Sequence, residues 1–252
     1  MGQIIVIANQ KGGVGKTTTA INLSACLAAT GRKVLLIDLD PQGNCTSGLG
    51  LDKRDLGQTL YDVLVNDVPV AAAARPTGVD NLSIVPANRE LVGAEIELVN
   101  IEHREFRLRS SLEAVRDQYD YLLIDCPPSL SLLTVNGLAA ADGVLITLQC
   151  EYYALEGLSE LLQTIILVRD NLNKALAVQG VLLTMYQRTN LSRQVVEDVR
   201  AHLGAKVYQT VIPRNVTLSE APSFGKPVIH YDESSAGAAA YLALAQEVLT
   251  LG

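Results

Sequence analysis

A glycine-rich loop that ends in lysine and threonine lies near the start of the chain. It reads Lys11-Gly12-Gly13-Val14-Gly15-Lys16-Thr17-Thr18. Glycine lets backbone N–H groups turn inward around an anion, and the N-terminus of a following helix adds to the positive field. In a loop of this kind Lys16 reaches the β- and γ-phosphates, and the Thr17 hydroxyl binds Mg²⁺. Residues 11–18 are therefore predicted to bind a nucleotide together with its magnesium ion.

The loop departs from the usual phosphate-binding pattern at one position. That pattern opens with glycine five residues before the Gly-Lys pair, and Gln10 occupies this position here. Lys11, directly beside it, is a second lysine that the usual pattern lacks.

Aspartates follow two of the predicted strands. Asp38 and Asp125 each end an apolar run, and Asp40 comes two residues after the first. In a parallel α/β sheet, ligands bind at the carboxyl ends of the strands. Asp125 is predicted to hold Mg²⁺ through water, Asp38 to support the metal or the phosphate loop, and Asp40 to orient an attacking water. The alternative is that Asp38 and Asp40 only cap the turn before Pro41.

Strands and helices that could position these groups alternate along the chain. The runs are nearly continuous in apolar residues, which is typical of parallel strands covered on both faces. Predicted strands are residues 4–7, 34–38, 82–86, 121–125, 143–148, 178–185 and 207–213, and a helix is predicted over residues 20–27. This order predicts a doubly wound, mostly parallel sheet flanked by helices, in a single domain spanning residues 1–252.

Two later segments have the apolar spacing of amphipathic helices. In the first, the residues expected to be buried are Leu155, Leu158, Leu161, Leu162, Ile165 and Ile166. In the last helix they are Tyr241, Leu242, Ala245, Val248 and Leu249. Both sets follow the i, i+3, i+4, i+7 pattern of one buried face.

Composition excludes several classes of protein. The chain has 252 residues, of which 48% are hydrophobic and 19% charged, as in a globular α/β protein. Its four cysteines, Cys26, Cys45, Cys126 and Cys150, are far apart, which favours buried thiols over a zinc or iron–sulfur site. No secretion signal and no membrane-spanning segment are expected.

Several longer segments add a family resemblance. They are KGGVGKT at 11–17, DLDPQGN at 38–44, IDCPPS at 124–129, CEYYALEGL at 150–158 and VIPRNVTLSEAPSFGKP at 211–227. The first resembles the deviant Walker A motif of the ParA/MinD class of P-loop ATPases. Together they resemble the chromosomal ParA/Soj partition ATPases over nearly the whole chain.

The resemblance implies roles for individual residues. It implies ATP and Mg²⁺ as ligands, hydrolysis that depends on Asp40, and a Walker B role for Asp125. Lys11 would cross the interface of an ATP-bound homodimer to reach the partner's nucleotide, and Glu151 would touch nucleotide across the same interface. Pro213 and Asn215 would lie near the adenine.

Basic residues are concentrated in one segment of an otherwise acidic chain. The net charge is −7, yet residues 188–226 hold six bases and three acids. A local excess of this kind favours contact with DNA phosphates. The predicted DNA contacts are Arg188, Arg193, Arg200, Lys206, Arg214 and Lys226. The resemblance supports Arg188, but it also exposes a departure, because some relatives have arginine where this chain has Thr217.

The sequence thus predicts an ATP-dependent, dimerising switch for DNA segregation. Its ATP-bound dimer would bind double-stranded DNA without sequence preference, and a ParB/Spo0J-type centromere-binding partner would stimulate otherwise weak hydrolysis. This implies a cytoplasmic, nucleoid-associated protein with no membrane partner. The alternatives are a membrane-cycling ATPase like MinD, a metabolic enzyme such as a cobyrinate-type synthetase or a nitrogenase-reductase-like protein, and a nucleotide sensor that does not hydrolyse.

Overall fold

The computed structural model describes residues 1–151 and 154–251, and within these ranges it describes all side chains except those of residues 154–156 and 251. Tyr152 and Tyr153 of the CEYYALEGL segment and the side chain of Leu155 therefore lie outside the described part. The strands are β1 (Gln3–Ala8), β2 (Val34–Asp38), β3 (Arg75–Pro76), β4 (Leu82–Val85), β5 (Tyr121–Asp125), β6 (Gly143–Gln149), β7 (Ala177–Tyr186) and β8 (Val207–Pro213).

The α-helices of the described residues lie mostly between these strands. They are α1 (Lys16–Ala29), α2 (Asn44–Gly48), α3 (Leu60–Val65), α4 (Val70–Ala73), α5 (Leu91–Glu97), α6 (Arg107–Glu113), α7 (Leu132–Ala140), α8 (Ala154–Asn171), α9 (Asn190–Leu203), α10 (Val216–Glu220), α11 (Val228–Tyr231) and α12 (Ala236–Leu251). Short 3₁₀ turns join some of them, including Gly204–Lys206 and Ala221–Phe224. All seven predicted strands are confirmed within one residue at each end, and the predicted first helix is confirmed but begins four residues earlier, at Lys16.

All eight strands join one sheet in the order β3-β4-β2-β5-β1-β6-β7-β8. Every neighbouring pair is parallel except β3 with β4. The predicted doubly wound, mostly parallel sheet is therefore confirmed. The parallel strands all end at one edge, called here the carboxyl edge, where ligands of such sheets bind.

Two apolar cores cover the two faces of the sheet. Along β1, Ile4 and Val6 enter the first core, whereas Ile5 and Ile7 enter the second, because successive strand side chains point to opposite faces. The first core includes residues of α3 to α9, and the second includes residues of α1, α2 and α10 to α12. This double cover explains why the central strands are apolar at nearly every position.

Two of the predicted buried helix positions are wrong. Ile166 of α8 is 45% exposed and Leu242 of α12 is 39% exposed. Each sits beside a residue that does face the core, Ile165 and Tyr241 respectively. A helix turns about 100° per residue, so two consecutive side chains point in clearly different directions. The predicted buried face included such consecutive pairs, and it was therefore wider than the face that packs against the sheet.

Among the described residues, none of the helices combines the length and apolar character needed to cross a bilayer.

Candidate nucleotide site

The predicted phosphate loop connects the central strand β1 to α1 at the carboxyl edge. Gly13 and Gly15 have φ of +73° and +88°, in the left-handed region that glycine adopts without strain. Gly15 is the N-cap of α1 and offers no side chain to bond its first N–H groups. These groups have no partner within the helix, and so they are available to an anion.

Hydrogen bonds to two strands, β6 and β7, hold the loop in place. The Asn9 side chain donates to the Thr147 carbonyl on β6 at 2.6 Å and accepts from the Lys11 N–H at 2.9 Å. The hydroxyl of Thr184, on β7, donates to the Val14 carbonyl at 2.9 Å. The loop is therefore fixed before any ligand binds, which limits the entropy that binding must remove.

Lys16 lies inside the loop that it completes. Its side chain is largely buried, and its ammonium donates to the Lys11 carbonyl at 3.0 Å. Burial lowers the pKa of Lys16, while the nearby carboxylate of Asp125 opposes that shift. An anionic phosphate in the loop would supply the counter-charge that a buried ammonium lacks.

The carboxylates at the ends of β2 and β5 meet behind the loop. Asp125 accepts hydrogen bonds from the Thr17 hydroxyl at 2.7 Å and from the Cys45 thiol at 3.3 Å. Asp38 accepts from both the backbone N–H and the hydroxyl of Thr46, at 2.8 and 2.7 Å. The β2–β5 register pairs Asp38 directly with Asp125, which explains why residues so far apart in sequence share one site.

Burial controls the ionisation of this pair. Both side chains have no solvent exposure. Desolvation, reinforced by the charge of Asp125, raises the pKa of Asp38 to about 7. Desolvation also raises the pKa of Asp125 to about 6, although the hydrogen bonds from Thr17 and Cys45 act to lower that pKa. One oxygen of each carboxylate, Oδ1, has no hydrogen-bond partner among the described residues, as expected of oxygens that a cation or its water would satisfy.

Asp40 lies on the wall of the cavity in front of the loop. This cavity of about 400 Å³ is also lined by Lys16, Thr17, Pro128 and the loop glycines. The Asp40 carboxylate accepts from the Gln42 N–H at 2.8 Å, so it caps the turn as well as facing the cavity. The two readings of Asp40 from sequence are therefore compatible.

A second cavity of about 320 Å³ continues the first, since Gly15, Thr18 and Met185 line both. Pro213 and Asn215 lie on its wall, where the resemblance places the adenine. The Asn215 side chain also caps α10 by accepting from the Leu218 N–H at 3.3 Å. The two cavities form one groove that extends from the phosphate loop to Pro213 and Asn215.

Sequence reasoning missed three residues of this groove. Thr184, Met185 and Tyr241 line the second cavity, and Met185 has a φ of +53°, which is uncommon for a non-glycine residue and typical of functional sites. Thr184 and Met185 lie near the end of β7 at the carboxyl edge, a position that could have marked them. Tyr241 comes from the last helix, and no local pattern connects it with the loop.

Lys11 is held at the rim of the site by Glu151. The ammonium of Lys11 lies 3.2 Å from a Glu151 carboxylate oxygen, and both side chains are about half exposed. Gln149 donates to the other oxygen of Glu151 at 2.5 Å. Two residues that the resemblance assigns to a dimer interface are thus neighbours on one exposed surface.

The six basic residues predicted to contact DNA do not share one surface. Arg188 and Arg214 follow the ends of β7 and β8, where the Arg214 N–H donates to the Tyr186 carbonyl at 3.0 Å. Arg193 lies in the first turn of α9, close to the same carboxyl edge. The other three lie elsewhere: Arg200 near the far end of α9, Lys206 just before β8, and Lys226 in a separate cavity with His230.

The fold, the loop and the strand-end carboxylates define a P-loop nucleotide-binding protein. The AAA-domain family model matches residues 2–178. The chain is 60% identical to the sporulation initiation inhibitor protein Soj of Bacillus subtilis, over the full length of both. It is 59% identical to the chromosome partitioning protein ParA of Caulobacter vibrioides, over 98% of this chain and 94% of the relative. The chain belongs to the Soj/ParA family of chromosome-partitioning ATPases.

A solved structure supports the same class. Cobyrinic acid a,c-diamide synthase from Mycobacterium smegmatis, with bound ADP and magnesium, has a TM-score of 0.87 and 40% identity. The match covers 99% of this chain and 94% of that one.

Proposed function

We propose that the protein is a Mg-ATP-dependent switch for chromosome or plasmid segregation. ATP brings two protomers together, and the dimer binds double-stranded DNA without sequence preference. Hydrolysis, weak in the protein alone and stimulated by a ParB-type centromere-binding partner, releases the DNA. In the cell this places the protein in the cytoplasm, associated with the nucleoid.

The observation that carries the proposal is the hydrogen bond that the Thr17 hydroxyl donates to the Asp125 carboxylate. It joins the first turn of α1 to the end of β5 at 2.7 Å, and Asp125 keeps one buried oxygen without a partner. A hydroxyl, a carboxylate and a phosphate are oxygen ligands of the kind that Mg²⁺ prefers. The residues therefore fit Mg²⁺: Thr17 would bind it directly, Asp125 would hold it through water, and Asp38, paired with Asp125 in the β2–β5 register, would support the metal. Bound Mg²⁺ neutralises charge on the phosphates.

Hydrolysis requires a water in line with the γ-phosphate. Asp40 lies on the cavity wall opposite the loop, and its bond to the Gln42 N–H fixes its orientation. We assign Asp40 to positioning this water, and Lys16 with the loop N–H groups to stabilising the charge that develops. The Asp40 position argues against a sensor that binds ATP without hydrolysing it.

The proposed dimer requires side chains that can extend from one protomer to the nucleotide of the other. Lys11 is 53% exposed on its side chain, and its ion pair with Glu151 is a surface pair. Surface pairs contribute only about 0–1 kcal/mol. A partner's phosphates can replace Glu151 at small cost, since a phosphate carries more charge and offers more acceptor oxygens.

DNA binding is assigned first to Arg188, Arg193 and Arg214. All three are exposed and lie on neighbouring elements at the carboxyl edge, so two protomers joined at that edge would bring six such side chains together. Arg200 is less suited to the role, because its guanidinium donates to the Gln209 carbonyl at 3.0 Å. Lys206 lies at the opposite end of β8 and Lys226 beside α11, so both are proposed as secondary contacts.

The MinD-like and nitrogenase-reductase-like alternatives lack supporting features among the described residues. A MinD-like membrane cycle needs an amphipathic tail with basic residues, but residues 234–252 contain no lysine or arginine. In α12 the apolar residues Tyr241, Ala245 and Val248 are buried in the second core. A nitrogenase-reductase-like cluster would need exposed cysteines, whereas all four are buried.

The test is retention of purified protein on non-specific duplex DNA with ATP, with ADP and without nucleotide, at two salt concentrations. We expect binding only with ATP and a steep loss at the higher salt. Arg188→Glu should abolish retention while leaving the ATP-bound dimer intact. Lys206→Glu is the matched control, because it makes the same charge change at the opposite edge, and its loss should be smaller.

Two results would contradict the proposal. One is DNA binding that is equal in all nucleotide states. The other is an ATP-bound dimer that never binds DNA. An equal loss in both variants would instead show that the DNA footprint extends beyond the carboxyl edge.

A further inference from the structure

Three side chains that can bind a metal meet behind the phosphate loop. The ligand atoms offered by Asp38, Cys45 and Asp125 all lie within 4.8 Å of one another. All three side chains are fully buried. The thiol of Cys45 is 3.3 Å from Oδ2 of Asp125, and α2 carries it there directly after the Asp40 turn. The role proposed for Mg²⁺ uses the two aspartates but gives no function to Cys45.

The site also has unused coordination capacity. Oδ1 of Asp38 and Oδ1 of Asp125 both lack a hydrogen-bond partner in the described part of the chain. A buried carboxylate oxygen without a partner is costly, and here two such oxygens belong to residues paired directly across β2 and β5. One cation between the two carboxylates would satisfy both.

We propose that Asp38, Cys45 and Asp125 form a binding site for one thiophilic divalent cation, of the Zn²⁺ or Cd²⁺ type. This goes beyond the proposed switch, because it concerns a different ion and a residue that the switch does not use. Thiolate ligands select Zn²⁺ and its heavier relatives, whereas Mg²⁺ requires oxygen.

The spacing between the Cys45 sulfur and the Asp125 carboxylate is of the size that one bound zinc ion spans. Zinc bonds of about 2.3 Å to sulfur and about 2.1 Å to oxygen put tetrahedral ligand atoms about 3.4–3.6 Å apart. The observed separation of 3.3 Å between Cys45 Sγ and Asp125 Oδ2 is about 0.3 Å shorter than the tetrahedral sulfur–oxygen distance, and all three ligand atoms lie within 4.8 Å of one another.

Binding exchanges a proton for the ion. The Cys45 thiol loses its proton to solvent as the metal–sulfur bond forms, and its hydrogen bond to Asp125 is replaced by a shared metal. No electron is transferred. Because Asp125 also accepts from Thr17, a thiophilic ion at this site competes with Mg-nucleotide for the same carboxylate.

The test is titration of the nucleotide-free protein with Cd²⁺, followed by the ultraviolet charge-transfer absorption of a cadmium–thiolate bond. We expect one Cd²⁺ per chain in the wild type. Cys45→Ser should remove the absorption and weaken binding by more than about 100-fold, since loss of an outer-shell partner alone costs about 10–100-fold. Serine can still donate to Asp125, which protects the fold, and urea unfolding checks that it does.

Cys26→Ser is the matched control, because Cys26 is also fully buried but lies in the middle of α1, away from the carboxylates. It should keep the wild-type absorption and stoichiometry. The proposal is overturned if the wild type shows no thiolate absorption, or if Cys45→Ser keeps it. These measurements use neither ATP nor DNA, so their outcome is independent of the test of the switch.

Discussion

Gly43 offers a direct test of how the Asp40 turn is held. It has a φ of +61° and forms the N-cap of α2, and its N–H donates to the Asp40 carbonyl at 2.9 Å. A Cβ added at Gly43 would lie 2.5 Å from the Ala87 carbonyl oxygen and 2.7 Å from Cδ of Lys53. The lysine side chain can move, but the carbonyl belongs to the backbone that connects β4 to α5. Gly43→Ala must therefore displace the turn.

The expected loss of stability has two parts. A left-handed backbone costs a non-glycine residue about 1–2 kcal/mol. Forcing an extra carbon into a packed site costs about 1–3 kcal/mol. We expect the free energy of unfolding to fall by about 2–5 kcal/mol. A turn displaced by about 1 Å would also move Asp40, and a shift of that size can slow catalysis by about 100-fold.

The assays are urea unfolding without nucleotide and ATP hydrolysis with nucleotide binding measured separately. Gly31→Ala is the control, since Gly31 has a φ of +85° but nothing within 4 Å of the added carbon. It should lose only the backbone part, about 1–2 kcal/mol, and keep hydrolysis. Equal losses of stability in both variants, with unchanged hydrolysis in Gly43→Ala, would refute the claim that this contact positions Asp40.

The remaining predictions concern Lys11 and the buried carboxylates. Lys11→Ala should retain ATP binding but fail to form the ATP-bound dimer in sedimentation experiments, and a normal dimer would remove the cross-subunit role. Since the pKa of Asp38 is raised to about 7 and that of Asp125 to about 6, Mg-nucleotide affinity should fall as both take up protons between pH 7.5 and about 5.5. In the metal-free protein both carboxyl groups keep their protons to a higher pH when folded than when unfolded, so stability should decline as the pH rises from about 4 to about 7, and less so in Asp38→Asn. A Mg-nucleotide affinity that does not change with pH over this range would contradict the raised pKa values of Asp38 and Asp125.

Local patterns were sufficient for the loop and the strands. Residues 11–18 carry their function in adjacent glycines, a lysine and a hydroxyl, and the buried positions of β1 and β5 are apolar apart from Asp125. Such patterns can be recognised in the sequence because the residues that act together are also neighbours along the chain. The resemblance extended this to Pro213 and Asn215, which do line the groove.

Charge counting along the chain was less informative. It grouped Arg188 with Lys206 because both lie in one basic segment. The parallel strands place them at opposite edges, since α9 crosses the whole sheet between them. Adding up charges along the sequence does not show that the chain has returned to the opposite edge of the sheet between these two residues.

The sequence by itself therefore determined the phosphate loop, the alternation of strands and helices, and the family. The tertiary structure decided which distant residues share a site. The register of β2 with β5 pairs Asp38 with Asp125, and α2 adds Cys45 to them. It likewise excluded Ile166 and Leu242 from the cores, although their spacing fits a buried face. The reason is physical. Periodicity and composition report on residues that are neighbours along the chain, whereas a site or a core depends on which distant surfaces come into contact when the chain folds.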